Sequence, residues 1–205
     1  MPYSFKDNYF DMKSKHKIAK LQALNFMHGL SLRVGVLGGT FDPAHAGHLL
    51  ISEQALRFHH FDFVIWLVAN QNPTKPLMQR DIFIRAQNAL KAAIHPKIIV
   101  STAEYDLNSS YSYDSIRQLS ERYKSVKFTW LMGMDNINSF RKWYRSSDLA
   151  SLCDILIFDR PCNTRLINVA TIGLKPKANL AKTENNNIMI HRGKLCDLSS
   201  TQLRD

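Results

Sequence analysis

An apolar run closed by two glycines constrains this chain more than any other feature. Leu32-Arg33-Val34-Gly35-Val36-Leu37 has the length and branched composition of a buried strand, and Gly38-Gly39 directly behind it can turn sharply and let backbone approach a ligand. Pro43 bars a regular helix until after it, and Ala46 to Phe58 has helical spacing, so His45 and His48 fall near the first turn of that helix. Unpaired N–H groups and the positive dipole end favour an anion there. Positions three apart share a helical face, so both imidazoles can point at one bound phosphate, one on the transferring phosphoryl and the other on a neighbouring oxygen. Two other readings compete. The histidines can be ordinary surface residues beside a tight turn, or a zinc pair, although no other histidine or cysteine offers the third and fourth ligands at matching spacing.

The 205 residues suit one domain, and 45% hydrophobic content fills a core without any run long enough to span a bilayer. Cys153, Cys162 and Cys196 are odd in number and form no C-x-x-C pair, which argues against a disulfide framework and fits a reducing cytoplasm. The formal charge of +10 attracts any polyanion and selects none. Because Lys and Arg are scattered and the aromatics form no stacking motif of the RNA-binding type, no nucleic-acid or membrane partner is expected. Residues 1–31 read as a basic N-terminal extension, with Ile18, Leu21, Leu24 and Met27 at amphipathic spacing. They lack the apolar core of a secretory signal, and Asp7 and Asp11 sit poorly in a transit peptide.

Residues 32–205 read as a single domain in which strands alternate with helices. Strands are expected at Phe61 to Val68, Ile98 to Val100, Lys127 to Met132, Asp154 to Phe158 and Ile188 to His191. Helices are expected at Arg80 to Ile94, Ser112 to Tyr123, Ile137 to Tyr144 and Leu149 to Leu152. This alternation predicts an α/β fold with a mainly parallel sheet, whose ligands bind beyond the carboxyl ends of the strands. The glycine turn, the loop Ala69 to Lys75, Gly133 to Asn136 and Arg160 all fall on that edge.

Several segments there carry chemistry. Ser199, Ser200 and Thr201 offer hydroxyls and amides at what reads as a helix start, with Arg204 one turn on, a good arrangement for a polyphosphate and equally for a plain N-cap before a surface arginine. Asp135 in Gly133-Met134-Asp135-Asn136 can accept from ribose hydroxyls or cap the following helix. Trp143, as a bare feature, suits a core as well as a ligand platform.

The string Gly38-Gly39-Thr40-Phe41-Asp42-Pro43-Ala44-His45-Ala46-Gly47-His48, followed about one domain later by Leu198-Ser199-Ser200-Thr201-Gln202-Leu203-Arg204, resembles the two motifs of the bacterial nicotinate-nucleotide adenylyltransferases, within the H-x-G-H nucleotidyltransferase superfamily. The resemblance covers nearly all of residues 32 to 204. It implies a Rossmann-like sheet with helices on both faces, and adenylyl transfer from ATP to nicotinate mononucleotide, giving nicotinate adenine dinucleotide and pyrophosphate, with Mg²⁺ carried on the ATP oxygens. His45, His48, Thr201 and Arg204 then take the catalytic roles. Gly38, Gly39, Thr40, Phe41, Gly133, Asp135 and Ser200 bind ATP. Asn70, Lys75, Ser112, Trp143 and Tyr144 bind the mononucleotide, Lys75 through its phosphate. In the family the start of the Ser110-Tyr111-Ser112-Tyr113-Asp114 helix gives an amide to the nicotinate carboxylate, and the tryptophan of Phe140-Arg141-Lys142-Trp143-Tyr144 stacks on the pyridine ring. Ser112 stands where threonine is common, and relatives usually continue into a further helix beyond the second motif, whereas this sequence ends at Asp205. Nicotinamide mononucleotide or phosphopantetheine as acceptor, and a non-catalytic nucleotide-binding protein, are the alternatives.

Overall fold

The computed structural model describes residues 18–70, 80–158 and 188–191. Six parallel strands form one sheet: β1 (Arg33–Gly39), β2 (Phe63–Val68), β3 (Ile98–Ser101), β4 (Lys127–Gly133), β5 (Asp154–Phe158) and β6 (Ile188–His191), in the order β3-β2-β1-β4-β5-β6. The expected α/β sheet is therefore present, and the strand order reverses between β1 and β4. Such a reversal opens a crevice at the carboxyl ends of the two strands that flank it.

The strands are nearly continuous apolar runs because both faces of the sheet are covered. Alternate residues divide between the two sides. Leu37, Trp66, Val100, Leu131 and Leu156 pack under α1 (Ala46–His59) and α2 (Ile82–Ala92) through Ile51, Ala55, Ile82, Ala86 and Ala89. Val36, Ile65, Phe128, Trp130 and Ile155 pack under α4 (Ser112–Arg122) and α6 (Ser146–Leu152) through Ile116, Leu119 and Leu149. Among the described residues no helix is long and apolar enough to cross a membrane.

Residues 18–30 belong to the same core. Leu21–Met27 forms a 3-10 helix whose Leu24 and Met27 are fully buried on the α4 side. Just before it, Ala19 bridges Ser101 in parallel, donating to the Val100 carbonyl at 2.8 Å and accepting from Thr102 N–H at 3.1 Å. The apolar positions singled out at helical spacing thus close the β3 edge of the sheet.

Two elements differ from expectation. The helix expected from Ile137 to Tyr144 stops early, as α5 (Ile137–Phe140), because the chain tightens into bonds from Lys142 N–H to Ser139 and from Trp143 N–H to Phe140 carbonyls, and Arg145 turns it with φ 51°. A single helical turn, α3 (Ala103–Asp106), follows β3, too short to leave a periodic signal.

At the opposite edge, His59 at the end of α1 shares a hydrogen bond with His191 of β6, Nε2 to Nδ1 at 3.2 Å, in a nest made with Phe58 and Phe158. Burial lowers the pKa of both rings, and for His59 the neighbouring His191, Arg33 and His60 lower it further. The unfolded chain then takes up protons first as pH falls through the ordinary histidine range, so this pair contributes stability above about pH 6.5 that is lost below it. The drop in melting temperature from pH 7 to about pH 5 is expected to be smaller in His59→Gln than in the wild type. Leu24→Ala is expected to destabilise the fold by about 2–5 kcal/mol, read by denaturant melts, which would make residues 18–30 a part of the domain energetically as well as spatially.

Candidate functional site

The crevice begins where two strands part. Pairing of β1 with β4 ends at Leu37↔Leu131, whereas β1 stays with β2 as far as Gly39↔Val68 and β4 stays with β5 as far as Gly133↔Phe158. Gly38 and Gly39 therefore finish the strand, and the sharp turn expected of them comes later, at Phe41 with φ 49° and at the cis peptide Asp42-Pro43. Their lack of a side chain serves close approach instead. A Cβ on Gly38 would lie 2.2 Å from Cη2 of Trp130, whose indole crosses the strand end, and one on Gly39 would touch the Phe41 ring at 3.4 Å.

The loop then builds a column of rings. Phe41 is fully buried and stacks on Trp66 with centroids 5.1 Å apart; His48 lies 4.7 Å from Phe41, and His45 lies 3.9 Å from His48. Trp66 is fixed through its Nε1–H to Ser52 Oγ at 2.7 Å, and Ser52 donates to the His48 carbonyl at 2.9 Å. His45 is the N-cap of α1, its Nδ1 accepting from Gly47 N–H at 3.1 Å, while His48 Nδ1 accepts from His45 N–H at 3.2 Å. Two histidines thus perform the reciprocal capping usually done by Ser/Thr and Glu. An acceptor nitrogen carries no proton, so each neutral ring must bear its hydrogen on Nε2 and act from there as a donor. Neutral donors at a helix N-terminus, above a packed apolar floor, suit a phosphate oxygen.

The remaining expected residues gather along the same edge. Asn70 follows β2, buried Gly133 ends β4, and exposed Asp135 lies in the short turn Met134–Asn136 behind it. Ser112 is the first residue of α4, and Tyr111 before it lies 4.4 Å from Tyr144, which brings that helix start beside the segment holding Trp143. Trp143 is half-buried, edge-on to Trp130 at 6.3 Å and against Phe140 at 5.4 Å. It is anchored to the core and still partly open, so the two readings of Trp143 are compatible. Trp130 connects it to Gly38. Lys75, Ser200, Thr201 and Arg204, with Arg160, lie outside the described residues.

Two charged residues that the sequence reading passed over lie behind these loops. Arg85 of α2, only 1% exposed, donates to the carbonyls of Thr40 (2.9 Å), Ala69 (2.7 Å), Asn70 (3.3 Å) and Arg80 (3.2 Å). Glu104 of α3, 4% exposed, accepts from Asn70 N–H at 3.0 Å and from Ser115 Oγ at 2.9 Å, and Ser115 in turn meets Ser109 at 3.0 Å. Burial pushes the Glu104 carboxyl up to about 7, against the opposing pull of those two hydrogen bonds and of Arg85. Arg85 could have been noticed, since it stands three after Ile82 and four before Ala89 on the apolar stripe of α2. Glu104 left no comparable trace.

This geometry has known counterparts. Residues 36–205 match the family described as cytidylyltransferase-like. The chain belongs to that family. Relatives named as probable nicotinate-nucleotide adenylyltransferases include one from Roseobacter denitrificans, 40% identical over 62% of this chain and 64% of its own length, and one from Methylorubrum extorquens, 39% identical over 63% of this chain and 71% of its own. The chain thus spans just under two thirds of the Roseobacter relative. Among solved structures, the fold is shared with a Plasmodium falciparum nicotinic acid mononucleotide adenylyltransferase complexed with NaAD, at a TM-score of 0.61 and 15% identity, covering 84% of this chain and 82% of that one. A Vibrio parahaemolyticus structure described as a putative nicotinate-nucleotide adenylyltransferase has a TM-score of 0.51 and 22% identity, over 62% of this chain and 76% of its own.

For this cytidylyltransferase-like chain the contact of Trp130 with Gly38 is open to a direct test. Gly38→Ala is expected to lower stability by about 1–3 kcal/mol, because the indole must move. In a Trp130→Leu background the same change is expected to cost less, which a double-mutant cycle of denaturant midpoints measures.

Proposed function

We propose that the protein transfers the adenylyl group of MgATP to nicotinate mononucleotide, forming nicotinate adenine dinucleotide and pyrophosphate. The observation that carries this reading is the pair of capping histidines set on a ring column at the parting of β1 and β4. The names of the relatives support the choice of acceptor, and the fold shared with the Plasmodium enzyme supports the architecture. An oxygen of the mononucleotide phosphate attacks the α-phosphorus in line, the bond from that phosphorus to the β-bridging oxygen breaks, and pyrophosphate leaves. No covalent enzyme intermediate forms.

Catalysis of this kind depends on positioning and on neutralising charge as it develops. The Nε2–H donors of His45 and His48 and the N-terminal amides of α1 serve the α-phosphate. Thr201 and Arg204, with Ser200, serve the departing pyrophosphate, and Lys75 the acceptor phosphate. Asp135 takes a ribose hydroxyl, while the start of α4 at Ser112 and the rings of Trp143 and Tyr144 receive the nicotinate. Mg²⁺ arrives on the ATP oxygens. The loop donors described are N–H groups suited to anions, and among the described residues no group of three His, Cys, Asp or Glu converges on one point. The reading places the enzyme in the cytoplasm, in keeping with the unpaired, buried Cys153 thiol.

The test is magnesium-dependent pyrophosphate release from ATP, run separately with nicotinate mononucleotide, nicotinamide mononucleotide and phosphopantetheine. Release with the first alone is expected; release with another moves the acceptor, and none from a folded, ATP-binding protein overturns the reading. His48→Ala is expected to lose about 10² to 10³ in turnover while remaining folded. His45→Asn keeps a side-chain acceptor for the Gly47 amide, so its melting temperature should hold while turnover falls by a similar factor. Near-normal turnover in both variants would reduce the histidines to helix caps.

A further inference from the structure

We propose that Arg85 and Glu104 are positioning residues that set the spacing between the loop holding ATP and the loop holding the acceptor. The inference rests on the functional reading above and goes beyond it, because neither residue faces the crevice.

The Asn70 backbone is held from two sides. Its N–H donates to Glu104 and its carbonyl accepts from Arg85, so one residue at the end of β2 is gripped from α3 on one side and from α2 on the other. The same guanidinium reaches the Thr40 carbonyl at 2.9 Å, in the loop that carries the histidines. Arg85 is therefore a rigid fork with one tine on the ATP loop and another on the acceptor loop. A planar guanidinium holds a set distance in a way that a flexible ammonium does not. Glu104 continues the connection to the start of α4, where Ser115 donates to it one turn beyond Ser112. Both acceptor-side elements, Asn70 and the α4 start, thus hang from one carboxylate.

A structural explanation alone does not fit this arrangement well. A carboxyl with almost no exposure, facing Arg85 as the one charged partner among the described residues and pushed up to about 7 by burial, is held at a cost to the fold above the ordinary carboxylate range. The native state binds the proton more tightly than the unfolded chain does, so stability falls as pH rises from about 4.5 through about 7. Among the described residues the guanidinium of Arg85 faces it, and the charges of Asp42 and Asp81 act in turn on Arg85. An amide at position 104 would remove the cost of a buried charge while weakening the grip on Asn70 N–H.

The brace therefore makes a prediction that a packing role does not share. In Glu104→Gln, the melting temperature at pH 8 should match or exceed that of the wild type, while KM for the mononucleotide rises about tenfold and KM for ATP changes little. In Arg85→Lys, kcat should fall about 10²-fold through misalignment of the two loops, with both substrates still bound. Ser115→Ala, which removes one donor to Glu104 and nothing from the crevice, should give a weaker version of the Glu104→Gln pattern.

Glu104→Gln or Arg85→Lys with wild-type kinetics would overturn the proposal, as would a Glu104→Gln variant whose melting temperature and kcat fall together with both KM values unchanged. Wild-type turnover decides the functional reading separately. If the wild type transfers to no acceptor, calorimetric binding of ATP and of nicotinate mononucleotide carries the test of the brace. It stands if Glu104→Gln weakens only the mononucleotide, and falls if both ligands bind as in the wild type.

Discussion

The end of β1 carries the constraint on which the rest of the site depends. Its last two residues lack side chains, and the indole of Trp130 occupies the space that the side chain of Gly38 would have needed. That single overlap joins the two halves of the molecule at the point where they separate, since Trp130 belongs to β4 and also supports Trp143. The indole packs tightly against the strand at the point where β1 and β4 part. A bulkier residue at Gly38 would lift that indole into the space intended for substrate.

On this floor helix capping falls to the two histidines proposed to hold phosphate. In most helices the N-cap and the ligand-binding groups are different residues. Here the imidazoles of His45 and His48 each give Nδ1 to an amide at the start of α1. The arrangement fixes both rings without extra side chains and ties the tautomer of each to the integrity of α1.

The glycine pair, the proline and the two histidines made the strand end and the helix start behind it legible from sequence, because each is a local demand that the chain must meet locally. Strand identities were legible for a related reason: runs such as Phe63–Val68 are apolar at every position, which only a sheet covered on both faces requires. What could not be read was tertiary. Whether Gly38 served a turn or a close approach depended on Trp130, ninety-two positions away. The end of α5 depended on a cluster of tight turns without Gly or Pro, and α3 is a single turn that gives the pattern no room to repeat. Arg85 and Glu104 escaped because charges in sequence are read as surface by default, and burial becomes visible only when the loops they hold are seen together.

The bridge at Ala19 has a consequence for how copies of this chain behave toward one another. A strand at the rim of a sheet presents unpaired backbone groups, and β3, with Ile98-Ile99-Val100, is apolar enough to recruit a strand from another molecule. Ala19 occupies the Val100 carbonyl and the Thr102 amide, and the 3-10 helix behind it keeps that segment seated. The stretch before the first strand therefore leaves fewer unpaired backbone groups at this rim for another copy to pair with.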